Sequence, residues 1–281
     1  MKENNFKVKV ETENQLDIVI DHKNVSDIII SRDSFAEKDL PKLVKKIKSH
    51  KKNAWILMER ISRFEEKMPI GAKSTCRGEH IDLRLSTDKI YEIADLDGII
   101  IQNLDSFAYM LRRINKIVNN ELKIELNYTM NCYNSETKLV LERIYNDKRN
   151  NAKDVPLLFT APVELNIYEL SDVGYDTMIL YSYIDTMVTA NCLNKNTKAE
   201  SKSSYILDRK NKKLHYKAYC KYCYNKIFNT EPLFLLDKIG DIAGPSYRID
   251  FSFESDKEVK SILSGTCPES FTRGHYKTSI K

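Results

Sequence analysis

Short apolar runs rich in β-branched residues recur along the chain, and most are followed by a segment whose apolar positions return every three or four residues. The runs predict strands at Phe6 to Val10, Asp27 to Ile30, Ala54 to Met58, Gly98 to Ile101, Lys123 to Tyr128, Pro156 to Phe159, Thr177 to Tyr181 and Tyr247 to Phe251. The helical spacing covers Leu40 to Lys48, Asp105 to Val118, Ser135 to Asn146, Glu164 to Leu170 and Ser255 to Leu263. Eight parallel strands with intervening helices most economically close into a TIM-like (β/α)8 barrel, so residues 1–281 are expected to form a single α/β barrel domain. A doubly wound open sheet would want a Gly-rich phosphate turn after an early strand, and no GxGxxG occurs. Two stretches exceed ordinary loop length: Glu65 to Arg84 after the third strand, and Cys192 to Asp241 after the seventh. Both start where a barrel strand ends and should rise over the C-terminal face. In the second, Ser204 to Asp208 and Leu214 to Lys217 flank a turn at Arg209 to Lys213 and read as a β-hairpin, and residues 265–281 form a C-terminal tail.

Composition narrows the class without changing this picture. With 281 residues, 42% of them hydrophobic and 30% charged, and only eight Gly and seven Pro, the chain can bury a sizeable core. The longest apolar stretch, Met178 to Ala190, is broken by Ser182, Asp185 and Thr186 and falls short of the roughly 20 residues that span a bilayer. The opening MKENNFKVKV alternates charge with apolar residues where a signal peptide would be continuously apolar, so a cytoplasmic protein with reduced thiols is expected.

The net charge of +5 is unevenly distributed: Lys195 to Lys226 holds ten Lys/Arg against Glu200 and Asp208, leaving the remainder slightly acidic. Tyr205, Tyr216, Tyr219, Tyr222 and Tyr224 share that window, and cations interleaved with π-faces suit phosphate contact and base stacking. Arg209, Lys210, Lys212, Lys213 and Tyr216 are therefore candidate nucleic-acid contacts, with RNA as the candidate partner; the alternative is a solvated hairpin whose charges serve solubility.

Cys220-Lys221-Tyr222-Cys223 is the clearest local chemical signal, because a short turn can aim two thiolates at one metal or cluster iron. Cys192 opens the same insertion and can fold back beside the pair. A fourth ligand would come from Cys76, Cys132, Cys267 or His215, and Cys132 and Cys76 follow strands that end at the barrel mouth. Glu59, Arg60, Asn131, Arg248 and Asp250 also sit at strand ends, and alternation places Arg248 and Asp250 on one face, as a substrate contact or an internal ion pair. His275 stands alone in Thr272-Arg273-Gly274-His275. HExxH, GxxxxGK and GxSxG are all absent.

Five segments in order, Met187-Val188-Thr189-Ala190-Asn191-Cys192, Leu207-Asp208-Arg209, Cys220 through Asn229, Tyr247-Arg248-Ile249-Asp250-Phe251 and Thr272 through Lys277, resemble the collagenase-like peptidase family U-thirty-two. Asp97 through Leu104 and Asn127-Tyr128 to Asn134-Ser135 also look like its middle strands, so the resemblance runs from about Ala54 to the C-terminus. It implies a barrel-like catalytic domain carrying a four-cysteine iron–sulfur (4Fe-4S) cluster. Members of the wider family act in oxygen-independent hydroxylation of RNA bases or of the ubiquinone ring, and others are described as collagen-degrading proteases. Cys192, Cys220 and Cys223 match cluster ligands, whereas the family's further Cys shortly after the first has no counterpart in Asn194 to Ser201, and the tail has Thr278-Ser279 where a second Arg-Gly is usual. The expectation is an iron–sulfur hydroxylase-type enzyme acting on an RNA base or related aromatic ring, with Arg248, Asp250 and His275 as catalytic candidates and Cys132 as the fourth ligand. The alternatives are a collagenase-like peptidase, and a non-catalytic RNA-binding or accessory module with zinc or no metal.

Overall fold

Strand formation follows the apolar runs closely. In the computed structural model, which describes residues 5–61, 88–117, 119, 121–149, 155–190, 193, 203–220, 222, 224–242 and 246–278, the chain begins with β1 (Phe6–Val10), β2 (Val25–Ser31) and β3 (Asn53–Leu57). These are followed by β4 (Gly98–Ile101), β5 (Lys123–Leu126), β6 (Leu157–Phe159) and β7 (Thr177–Ser182). A second group comprises β8 (Asp185–Thr189), β9 (Ser203–Leu207), β10 (Lys213–Tyr219) and β11 (Tyr224–Phe228), and the chain then returns through β12 (Leu233–Phe234) and β13 (Ser246–Asp250). The helices with both ends among the described residues are α1 (Glu13–Ile20), α2 (Leu40–Ser49), α3 (Leu104–Arg113), α4 (Ser135–Lys148), α5 (Ile167–Val173) and α6 (Asp256–Leu263). Their starts are written in the sequence. Thr12, Asn103 and Asn134 cap the first turns of α1, α3 and α4, and Asn166 with Glu169 and Ser255 with Glu258 form reciprocal capping boxes.

The expected closed (β/α)8 barrel is not what forms. The main sheet has nine strands in the order β12-β7-β13-β1-β2-β3-β4-β5-β6, all pairs parallel except β12 with β7, and it curls into a half-barrel beside a separate antiparallel sheet β8-β11-β10-β9. The reason lies at the edge of β7. A closed barrel would give that edge to β6, but Leu233 and Phe234 of β12 pair with Ser182 and Tyr181, and the three-residue β6 meets β7 only at the single bridge Thr160–Thr177. The hairpin foreseen in residues 192–241 is present, and β8, which lies between the seventh predicted strand and that insertion, joins it in the antiparallel sheet. The insertion Glu65 to Arg84 lies outside the described residues.

Helices cover one face of the main sheet. Val8, Ile28, Ile30, Ile56, Ile99 and Ile124 turn toward Leu16, Val44, Ile47, Met110 and Val259 in one continuous core. Alternation sends the intervening residues to the concave face, where Ile29, Trp55, Leu57 and Ile100 form a small apolar plug. Gly98 is needed there: a Cβ at that position would lie 2.2 Å from two carbons of the Trp55 ring. No helix of the described residues is long and apolar enough to cross a membrane.

A charged floor beneath the antiparallel sheet as candidate functional site

Moving along the concave face toward the carboxyl ends of the parallel strands, the apolar plug gives way to buried charge. Lys7 lies over the Trp55 ring, 3.6 Å from its centroid, and pairs at 2.5 Å with Glu125, which also accepts from Thr160 at 2.6 Å. One residue pair further up, Arg248 grips Asp250 with two bonds of 2.6 and 2.8 Å and donates to Asn127 Oδ1 at 3.0 Å. Both members are buried, so the shared face inferred from alternation is occupied by a desolvated bidentate pair.

The uppermost layer comes from residues directly after the strands. Glu11 follows β1, Arg32 and Asp33 follow β2, Glu59 and Arg60 follow β3, and Asp185 opens β8 just after β7. Arg32, fully buried, binds Glu59 at 2.6 Å and Glu37 at 2.9 Å. Tyr128 donates to Asp185, whose other oxygen stands 3.7 Å from Arg60 Nε.

The antiparallel sheet sits on this layer through its own polar side chains. His215, Lys217 and Tyr219 alternate on one face of β10, as Tyr224, Lys226 and Phe228 do on β11. Lys217 and Tyr219 both donate to Glu11, Tyr219 at 3.2 Å; Tyr222 donates to Glu37 at 3.2 Å; Lys226 stands 3.2 Å from Asp33; and the Arg60 amide donates to the Tyr224 oxygen at 3.0 Å. Phe228 and His215 pack on Phe253 beside them.

Two carboxylates at this contact respond in opposite directions. Burial alone would push Glu11 upward, but Lys217, Lys9 and Lys226 outweigh it and hold the group well below the usual carboxylate range. Asp33 is driven above its ordinary value by burial, which Lys226 only partly opposes; neither of its oxygens accepts a well-formed hydrogen bond among the described residues. Burial likewise raises Tyr219, Tyr222 and Tyr224, so all three remain neutral phenols. The layer thus sets two buried carboxylates with oppositely shifted affinities for a proton under the same cover.

The residues foreseen from sequence divide among several places. Arg248 and Asp250 belong to the charged floor. His275 does not: with Arg273 it lines an apolar cleft with Ile167, Ile179, Leu233 and Ile242, whose lining includes none of the charged-floor residues. Arg209, Lys210, Lys212 and Lys213 are exposed together at the β9–β10 turn, where Asp208 Oδ1 accepts from the Lys210 and Lys212 amides at 2.7 and 2.8 Å. Tyr216 is separated from them, only 2% exposed, and cannot offer a ring face to a base; Tyr205, half exposed with Lys213 over its ring, occupies the position that could.

Of the cysteines, Cys192, Cys223 and Cys76 lie outside the described residues. Cys220 is half-buried just after β10, between Tyr219 and Tyr222. Register pairs Thr189 with Asn225 and Tyr219 with Tyr224, so the described neighbours of Cys192 and of the Cys220–Cys223 turn share one end of the antiparallel sheet. Cys132 does not fit a ligand's part. It is buried in the main core, its Sγ 3.9 Å from the Asn134 carbonyl oxygen, and burial pushes its thiol up to about 11. Among the described residues no group of three or more His, Cys, Asp or Glu side chains is arranged to hold a metal ion.

Sequence reasoning passed over Glu11, Asp33 and Asp185. Their signal is positional: each is an acidic residue within a few positions of the end of an apolar run, where a parallel sheet collects its functional side chains.

No protein-family model matches the chain, and no curated protein matches it. A solved structure described as "Crystal structure of an uncharacterized B. cereus protein" is similar over 94% of this chain with 12% identity and a TM-score of 0.42. This chain spans about 65% of that protein's length.

Proposed function

We propose that the chain is a relative of the U-thirty-two family acting on RNA, an iron–sulfur enzyme of the oxygen-independent hydroxylase type with an RNA base or a related aromatic ring as substrate. The observation that carries this reading is the two-ended form of the antiparallel sheet. One end, the exposed turn with Arg209, Lys210, Lys212 and Lys213, offers four cations to a phosphate backbone. The other end bears Cys220 between two tyrosines whose phenols reach Glu11 and Glu37 on the charged floor. β10 joins the two ends over seven residues, about 20 Å at strand rise.

Cys192, Cys220 and Cys223 are the residues that would hold the cluster, which would supply electron transfer when bound. The convergence of the strands that flank them supports three thiolates; the burial of Cys132 in the core, which raises its thiol, gives no support for a fourth there. Arg248, Asp250, Asn127 and Tyr128 line the floor that a base would face, and Asp33 is the group placed to hold or release a proton at its Oδ atoms.

Two measurements test the reading. Anaerobically purified protein should contain iron and show broad visible absorption that Cys220→Ser diminishes; colourless, iron-free protein overturns the cofactor. Single-stranded RNA should bind with an affinity that falls steeply with salt, and reversing Lys210, Lys212 and Lys213 together should reduce the slope of log K against log salt by roughly 2. Binding indifferent to salt and to those reversals overturns RNA as the partner.

A further inference from the structure

Helix α4 carries more apolar side chains than its seat on the sheet uses. Leu141 and Tyr145 face the core, yet Leu139, Val140 and Ile144 remain 49%, 51% and 41% exposed in the middle of the helix. Val140 and Ile144, four residues apart, adjoin on one solvent-facing stripe with Leu139 about 100° further round the helix, and adjoining large aliphatics, unlike apolar residues scattered singly, mark a contact surface.

What should cover the stripe follows from its order. Glu136, Val140, Ile144 and Lys148 are spaced by four, so they form one continuous ridge about 18 Å long, acidic at its N-terminal end, apolar in the middle and basic at its C-terminal end. Glu136 and Lys148 are exposed, and no ion-pair partner is found for either among the described residues. Such a ridge is complementary to itself reversed. Laid antiparallel against a second copy about a two-fold axis midway between Val140 and Ile144, Val140 meets the other Ile144 and Glu136 meets the other Lys148, twice over. Ridges of the i+4 type interlock when the helices cross at about −50°, which also brings the ridge ends into register.

We propose that the chain self-associates into a two-fold dimer through α4, with Val140 and Ile144 as its apolar centre and Glu136 paired with Lys148 of the second copy at both rims. A contact of two helices lies at the small end of specific interfaces, so the dimer forms on the order of 10–100 µM.

Sedimentation equilibrium of the full chain from about 5 to about 500 µM tests this. Wild type should pass from monomer to dimer across that range, and Ile144→Asp should stay monomeric throughout while keeping the wild-type circular dichroism spectrum. Glu136→Lys and Lys148→Glu, both at exposed positions, should each weaken association by roughly tenfold, since each places two like-charged pairs at the rims. Mixing these two single variants should restore association toward the wild-type value, because the mixed dimer regains both pairs. A wild type that stays monomeric, an Ile144→Asp variant that still dimerises, or a mixture no tighter than its components would overturn the proposal; the last would do so even if the chain dimerises by another face.

Discussion

Glu11→Gln removes one negative charge and almost no volume from the contact between the two sheets, so its cost isolates the electrostatics. Lys9 Nζ at 2.9 Å, Lys217, Ser34 Oγ at 3.0 Å and Tyr219 at 3.2 Å all donate to this carboxylate, and its side chain is 1% exposed. The amide still accepts at one atom, but two ammonium groups are then left facing each other without a counter-charge. Breaking a buried ion pair by removing one partner costs about 3–5 kcal/mol, and at roughly 2–4 °C per kcal/mol the melting temperature should fall by roughly 10 °C. Urea and thermal denaturation measure the loss. Hydrogen exchange locates it: amides of β10 and β11 should exchange faster in the variant, while those of β4 and β5, remote from Glu11, change less. Adding Lys217→Met to Glu11→Gln should recover part of the loss, because the second change removes a stranded charge. The direction with pH is also determined. Glu11 titrates lower in the folded chain than its ordinary 4.5, so its contribution is complete above that value and disappears as the pH falls through the depressed folded value; Asp33, which is raised, works in the opposite sense and favours the folded state on acidification. Loss of wild-type stability below pH 4.5 should therefore be reduced in Glu11→Gln. A cost below about 1 kcal/mol, or a double variant no better than the sum of its parts, would refute the assignment of Glu11 as the charged joint between the sheets.

Gly98→Ala forces a methyl into the Trp55 ring, whose carbons stand 2.2 Å from the new atom, and should destabilise the chain by about 1–3 kcal/mol; since Trp55 is the single tryptophan, a shifted fluorescence maximum reports the displaced ring directly, and an unchanged spectrum with unchanged stability would contradict the packing. Iodoacetamide at mildly alkaline pH should label the exposed Cys267 and leave Cys132 unmodified until the chain unfolds, because the Cys132 thiol is buried and raised to about 11; equal labelling of the two, read by peptide mass, would refute that burial.

Eight strands of the main sheet were legible because a parallel strand buried on both sides is a nearly unbroken apolar run, as in Ile28-Ile29-Ile30 and Ile99-Ile100-Ile101. Helix α1 was not: its eight residues contain four apolar ones and depend on the Thr12 cap and on packing against α6. Closure was misread because it turns on β12, a two-residue strand with no periodicity to read, which takes the edge of β7 that β6 would need.

The basic segment shows why charge patterning alone could not assign the site. Its cations look alike in sequence, but antiparallel pairing gives them two destinations. Lys217 and Lys226 point down onto Glu11 and Asp33, more than 190 residues earlier in the chain, and neutralise the acidic excess of the remainder. The tyrosines follow the same division, with Tyr219, Tyr222 and Tyr224 bonded to the floor and Tyr205 left outside. Among the described residues of this segment, only Arg209, Lys210, Lys212 and Lys213 are then free for an external polyanion. Four contacts to a single strand correspond to a salt slope of about −3. A steeper slope would mean that cations beyond the β9–β10 turn take part, and if Lys217 and Lys226 are among them, binding would have to separate the two sheets they join.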